Sequence, residues 1–149
     1  MNIILPLSLH LTSITSAIAD ECSHALRDTD LHGAQLFYLL CVCQNPGLSQ
    51  DGLAQQLGVN GSNVTRQMGA LETMGYVRRQ RDREDKRRWL VMPTDRAYEI
   101  LPRLVDVLSD AQAALTRGMS PEEIELLCEL TERMARNAAR RRAELEREE

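Results

Sequence analysis

Seven basic residues crowd one stretch of this 149-residue chain, 76–90 (YVRRQRDREDKRRWL). They are Arg78, Arg79, Arg81, Arg83, Lys86, Arg87 and Arg88, set against three acids, Asp82, Glu84 and Asp85. The whole chain carries a formal charge of −4, so the remainder, with 11 basic and 19 acidic residues, stands at −8. A cationic patch on an anionic body attracts a polyanion over about 10 Å at roughly 0.1 M salt. The body meanwhile repels that polyanion from every other face, which orients it. The chemistry on offer is phosphate neutralisation and forked hydrogen bonding, not bond cleavage. Asp85 and Arg87 lie two apart, so on an extended strand they point to one side, and the carboxylate can aim the guanidinium. An aimed arginine suits a narrow minor groove, where the negative potential is strongest. Arg78, Arg79, Arg81, Arg83, Lys86 and Arg88 are placed to reach flanking phosphates.

A second polar set precedes the basic stretch. On a helix turning 100° per residue, Val64, Met68 and Leu71 share one apolar face. Ser62, Arg66, Gly69, Ala70 and Thr73 lie opposite, with Asn63, Thr65 and Gln67 on the flanks. Hydroxyls, amides and a guanidinium in this arrangement can bond base edges and phosphates in a major groove. Arg66 is the candidate for guanine; Asn63 and Gln67 suit adenine or phosphate. The small Gly69 and Ala70 let the helix sit deep.

Other chemistries find less support. The sequence holds no Gly-x-Ser-x-Gly, no phosphate-binding loop and no metal-ligand spacing, so neither an enzyme nor a metal or cofactor site is expected. Cys22, Cys41, Cys43 and Cys128 form no C-x-x-C pair and read as small buried thiols. The apolar start (MNIILPLSLHLTSITSAIAD) has no basic leader and too many polar breaks for a signal peptide or a membrane span. The expectation is a cytoplasmic protein that does not engage membranes.

The elements that must position these groups follow from periodicity. Helices are expected over about 7–27 and 31–44, with Asp28, Thr29 or Asp30 as cap of the second, and Asn45-Pro46-Gly47 as a break. Ser49 can cap a short helix ending near Leu57, and Gly58 suits a left-handed turn. Asn60 caps the next helix, which runs to about Met74. Ala54, Gly58 and Val64 then have the spacing of a helix-turn-helix, with Leu53, Leu57 and Val59 adding core contacts. Residues 76–80 and 88–92 read as short strands of a hairpin. Thr94 can cap a long helix, with a kink expected at Pro102. Ser120-Pro121-Glu122-Glu123 starts a last helix that can run nearly to Glu149. The fold expected is mainly α with a small β-hairpin wing: a winged helix-turn-helix between long terminal helices whose apolar stripes pair between subunits.

These residues resemble the multiple-antibiotic-resistance (MarR) family of transcription regulators. The likeness spans about 7–141 and is carried by Leu31…Gln35, Leu53-Ala54…Leu57-Gly58-Val59, Val64-Thr65-Arg66, Leu71-Glu72…Gly75-Tyr76-Val77 and Asp82…Asp85-Lys86-Arg87-Arg88. Gly52, inside the first motif helix, stands where the family often has Glu, and implies a less rigid helix. His32 and Pro93 depart from the usual Thr and Leu. The resemblance implies a homodimer organised as an N-terminal dimerisation helix (1–30), a DNA-binding domain (31–93) and C-terminal dimerisation helices (94–149). It implies double-stranded DNA with a pseudo-palindromic site as partner, contacted by Ser62, Asn63, Thr65, Arg66, Gln67, Arg78, Arg83, Asp85, Lys86 and Arg87. It further implies repression relieved by a small-molecule effector, or by thiol oxidation. His10, His24, Arg27, His32, Tyr38 and the Cys41/Cys43 pair lie near the pocket expected, with no ligand contact assigned. A winged helix used only for protein interaction is the remaining alternative.

Overall fold

The computed structural model describes residues 4–148; Met1, Asn2 and Ile3 of the apolar start, and Glu149, lie outside them. Two compact units divide the chain, one ending at Leu115 and one beginning at Thr116. The first holds α1 (Ile4–Ala25), α2 (Gly33–Gln44), β1 (Leu48–Ser49), α3 (Gln50–Leu57), α4 (Gly61–Thr73), β2 (Val77–Arg81), β3 (Trp89–Pro93) and α5 (Asp95–Leu115). The second holds α6 (Pro121–Glu148).

The centre of the first unit is α2. Its sequence is apolar nearly all round, so it is surrounded rather than laid on a surface. It packs on α1, α3, α4, α5 and β3. Leu36, Leu39 and Val42 are fully buried, together with Leu26, Leu53, Val64, Met68, Leu71, Val91 and Leu104. Cys41 and Cys43 face different directions yet are both buried, because every side of α2 is covered.

The start of α2 differs from expectation. The cap is His32, whose backbone N–H donates to Gln35 Oε1 at 2.9 Å. Asp28, Thr29 and Asp30 are drawn to other partners. Arg103 of α5 holds Asp28 and also reaches the Ala25 carbonyl. The Thr29 hydroxyl donates to the Leu26 carbonyl at 2.7 Å. Asp30 accepts from the Tyr76 hydroxyl at 2.8 Å and from Arg96 at 3.0 Å. Long-range partners thus outcompete the local cap at Asp28 and Asp30, while Thr29 is taken up by the preceding turn.

Gly33 opens α2 against α1 with no room for a side chain. A Cβ there would lie 2.6 Å from Ser23 Oγ and 2.7 Å from the Ala19 carbonyl oxygen. The backbone contact cannot swing aside. Gly33→Ala is therefore expected to destabilise by about 1–3 kcal/mol, the usual cost of overpacking. A fall in the urea midpoint at unchanged slope would show it; an unchanged or higher midpoint would contradict it.

The helix-turn-helix forms as its caps dictate. Ser49 Oγ accepts from the Gly52 N–H at 3.0 Å, and Asn60 Oδ1 from the Asn63 N–H at 2.8 Å. Gly58 takes the left-handed conformation (φ 64°) that ends α3. The Gly52 position is a close approach: a Cβ would lie 2.7 Å from Leu48 Cδ1. Its glycine lets β1 fold onto α3.

β1 itself has no counterpart among the expected elements. It makes the sheet three-stranded and antiparallel, in the order β1-β3-β2, with Leu48 opposite Val91 and Val77 opposite Pro93. Two residues are too few to leave a periodic signal. Thr94 does not cap α5 through its side chain. Its hydroxyl donates to the carbonyls of Gly75 (2.7 Å) and Tyr76 (3.0 Å), tying α5 to the wing base instead. α5 continues through Pro102. In the second unit, Ser120 and Glu123 cap α6 reciprocally, the Ser120 N–H donating to Glu123 Oε2 at 2.7 Å and the Glu123 N–H to Ser120 Oγ at 3.3 Å.

Candidate nucleic-acid interface

The buried face of α4 is the one its periodicity marks. Val64, Met68 and Leu71 have no exposed surface. Ser62, Thr65, Arg66 and Thr73 are exposed, while Asn63 and Gln67 are half-buried. The polar side chains are held by one another. Asn63 Oδ1 accepts from Arg66 Nη2 at 2.8 Å, which orients the guanidinium. Ser62 Oγ donates to Asn60 Oδ1 at 2.9 Å. Thr65 Oγ1 donates to the Gly61 carbonyl and accepts from Gln50 Nε2, both at 3.0 Å. Gln67 Oε1 accepts from Gln35 Nε2 at 3.4 Å, so this flank of α4 is linked to the central helix. Asn60, Gln35 and Gln50 thus act as supports that the sequence pattern of α4 alone does not reveal.

The wing loop spans 82–88. Asp85 and Arg87 meet as expected, for a different reason. The loop is a turn rather than an extended strand, with the Arg88 N–H donating to the Asp85 carbonyl at 2.9 Å. Within it, Asp85 Oδ1 accepts both the Arg87 backbone N–H at 3.0 Å and its Nε at 3.3 Å. Aspartate favours such side-chain-to-backbone turns. The Arg87 side chain is 92% exposed, so its charge is directed but not neutralised by burial.

The other basic residues divide into two groups. Arg79, Arg81 and Arg88 are engaged within the fold. Arg79 donates from its backbone N–H to Glu72 Oε1 and from its guanidinium to Glu72 Oε2, each at 2.9 Å. These bonds hold the Glu72 carboxyl below the usual carboxylate range. Arg81 Nη1 donates to the Lys86 carbonyl at 2.7 Å, and Arg88 Nη2 to Ser49 Oγ at 3.3 Å. Arg78, Arg83 and Lys86 are exposed, and with Arg87 they form the cationic tip and flank. The Glu72–Arg79 pair fastens β2 to the end of α4. It joins residues seven apart across a helix–strand junction, a spacing that belongs to no local repeat.

The thiols and imidazoles form no comparable constellation. Burial raises the Cys22 and Cys41 thiol pKa values and pushes Cys43 up to about 11. Cys128 is exposed, unlike the buried thiol expected. In the native protein Cys22, Cys41 and Cys43 should resist a disulfide reagent at neutral pH and react only after denaturation; rapid native labelling of any of the three would refute this. His10 and His24 are exposed along α1, with His24 Nε2 3.4 Å from Arg27 Nη1, and His32 is exposed at its cap position. Tyr38 is buried, and its hydroxyl has no partner among the described residues. Among the described residues no group of His, Cys, Asp and Glu is arranged to hold a metal ion, and no helix is long and apolar enough to cross a membrane.

Comparison with known proteins places this geometry in context. The MarR family model matches residues 31–89, from the start of α2's cap region into β3. A crystal structure of MarR is 30% identical, superposes with a TM-score of 0.82, and is covered over 98% of its chain by 97% of this one. An uncharacterized helix-turn-helix-type transcriptional regulator of Bacillus subtilis, YybA, is 27% identical over 127 residues, 85% of each chain. A putative MarR family regulator of Listeria monocytogenes, crystallised with a 26mer DNA, shares the fold at a TM-score of 0.84 and 20% identity, over 99% of this chain and 95% of that one. On these matches the chain belongs to the MarR family of winged helix-turn-helix transcriptional regulators.

Proposed function

We propose that two copies of this chain bind one pseudo-palindromic DNA duplex and repress transcription from it. Each α4 enters a major groove through Ser62, Asn63, Thr65, Arg66 and Gln67. Each wing enters the adjacent minor groove through Arg87, held by Asp85, while Arg78, Arg83 and Lys86 neutralise phosphates. The observation that carries this reading is Arg87: 92% exposed, yet fixed in direction by a carboxylate. A merely solvated arginine has no need of such a tether.

Dimerisation falls to the terminal helices, outside a DNA-binding domain of 31–93. α6 buries none of its residues within its own chain, and exposes Leu127, Leu130 and Met134 on one face. α1 exposes Leu7, Leu11 and Ile14. Apolar stripes of this kind mark protein–protein contact. A small-molecule effector, rather than oxidation of Cys22, Cys41 or Cys43, relieves repression, since these three thiols are buried with raised pKa values.

Filter binding to a pool of random duplexes at graded salt tests the reading. The four wing cations assigned to DNA in each chain (Arg78, Arg83, Lys86 and Arg87), doubled in the dimer, imply a log–log salt slope of about −4 to −7 at roughly −0.9 per phosphate neutralised. Retention that is absent, or indifferent to salt, would contradict it.

A further inference from the structure

Trp89, the single tryptophan of the chain, opens β3 directly after the wing loop and remains 37% exposed. A large aromatic on a DNA-binding lobe invites the idea of a base contact. Its neighbours suggest another role. Arg81 lies directly opposite in the strand register, and its guanidinium sits over the indole at 4.1 Å from the ring centroid. Arg79, two residues back on the same face of β2, approaches the same ring at 5.8 Å. Each arginine is also anchored at its far side. Arg79 is bonded to Glu72 near the C-terminal end of α4. Arg81 is bonded to the Lys86 carbonyl, next to Arg87 in the wing loop.

The contacts therefore form one unbroken series: Glu72, Arg79, Trp89, Arg81, Lys86. It runs from the recognition helix to the wing tip, and the indole is its middle member. We propose that Trp89 is a positioning residue, whose ring face fixes the wing tip relative to α4 so that both DNA-contacting elements are set before DNA arrives. This rests on the DNA-binding reading above. The loop's own turn bonds, such as Arg88 N–H to the Asp85 carbonyl and Asp82 N–H to the Arg88 carbonyl, shape the tip but do not tie it to α4. Preorganising it removes an ordering cost that would otherwise fall on binding. Cation–π contacts with tryptophan are strong enough for the task, and phenylalanine and tyrosine supply weaker ones.

The test uses the full-length protein and its selected duplex, with anisotropy titrations across salt. Trp89→Ala should weaken binding about 5- to 10-fold, the scale of one well-formed cation–π contact. Its salt slope should match the parent's, because no phosphate contact is lost. Trp89→Phe, which keeps a ring face but no indole N–H, should stay within about 3-fold of the parent. Arg81→Ala should weaken binding as Trp89→Ala does, and the double variant should be no weaker than either single one, since all three break the same series. Thermal midpoints report folding; should Trp89→Ala fail to fold, Arg81→Ala and Trp89→Phe carry the test. Near-parental affinity of Trp89→Ala, equal losses in Trp89→Phe and Trp89→Ala, or additive losses in the double variant would each overturn the proposal. Arg87→Ala serves as control. Weak binding by Arg87→Ala beside normal binding by Trp89→Ala refutes only the role of Trp89. Normal binding by both refutes the role given to the wing, and a parent protein that retains no duplex refutes the DNA-binding reading itself.

Discussion

Arg87→Ala is expected to weaken duplex binding about 30- to 100-fold, because a directed contact worth roughly 1 kcal/mol or more is lost twice in a symmetric complex. The loss should be broad, falling on cognate and random duplexes alike, and the salt slope should shrink by about 1 for each phosphate-level contact removed. Stability should not change. The side chain is 92% exposed and its ion pair with Asp85 lies at the surface, where such pairs contribute little. Arg66→Ala should behave differently. Arg66 is exposed on α4 and oriented by Asn63. Its loss should cost about 1–3 kcal/mol per half-site on the preferred sequence and much less on others, because base-edge contacts discriminate while phosphate contacts do not. Anisotropy titrations with one cognate and one scrambled duplex separate the two patterns. Equal effects of the two substitutions on both duplexes would remove the division of labour between wing and helix.

The second large effect concerns assembly. Leu127 and Leu130 of α6 are 40% and 42% exposed in the single chain. If they meet their counterparts in a dimer, Leu127→Glu with Leu130→Glu places four unpaired carboxylates in an apolar contact. Each costs several kcal/mol unless it escapes to water, so the dimer should fall apart at micromolar concentration. The monomer should stay folded, because α6 contributes no buried residue within its own chain. DNA affinity should drop by at least about 100-fold, since half of the contacts and the fixed spacing are lost together. Sedimentation equilibrium reads the mass and the duplex titration reads the consequence. A doubly substituted protein that remains dimeric would remove α6 from the interface.

Most of the fold is legible in the sequence because local rules agree with the tertiary structure. Ser49, Gly58, Asn60 and Ser120 each do locally what their types favour. Val64, Met68 and Leu71 are buried because a helix has one period and one apolar face here. Where distant partners intervene, local reading fails. Asp28 and Asp30 look like caps and are ion-pair partners of Arg103 and Arg96. Thr94 looks like a cap and instead ties α5 to the wing base. β1 is invisible because its strand character comes from pairing with β3 and not from its own two residues. In the candidate site, the exposed polar row of α4 and the Asp85–Arg87 contact are readable, but which arginines of the basic stretch are available is not. That depends on Glu72, Trp89 and Ser49, which take up Arg79, Arg81 and Arg88.

Paired chains, as proposed, would lay two α4 helices and two wings along one face of B-form DNA. Hydroxyl-radical footprinting of the complex on its selected duplex tests this most directly. Expected are protections with two-fold symmetry, major-groove half-site centres about 10 bp apart as two-fold recognition helices require, and neighbouring minor-groove protections that vanish with Arg87→Ala. A single unpaired zone of protection, or minor-groove protection that survives the loss of Arg87, would contradict it.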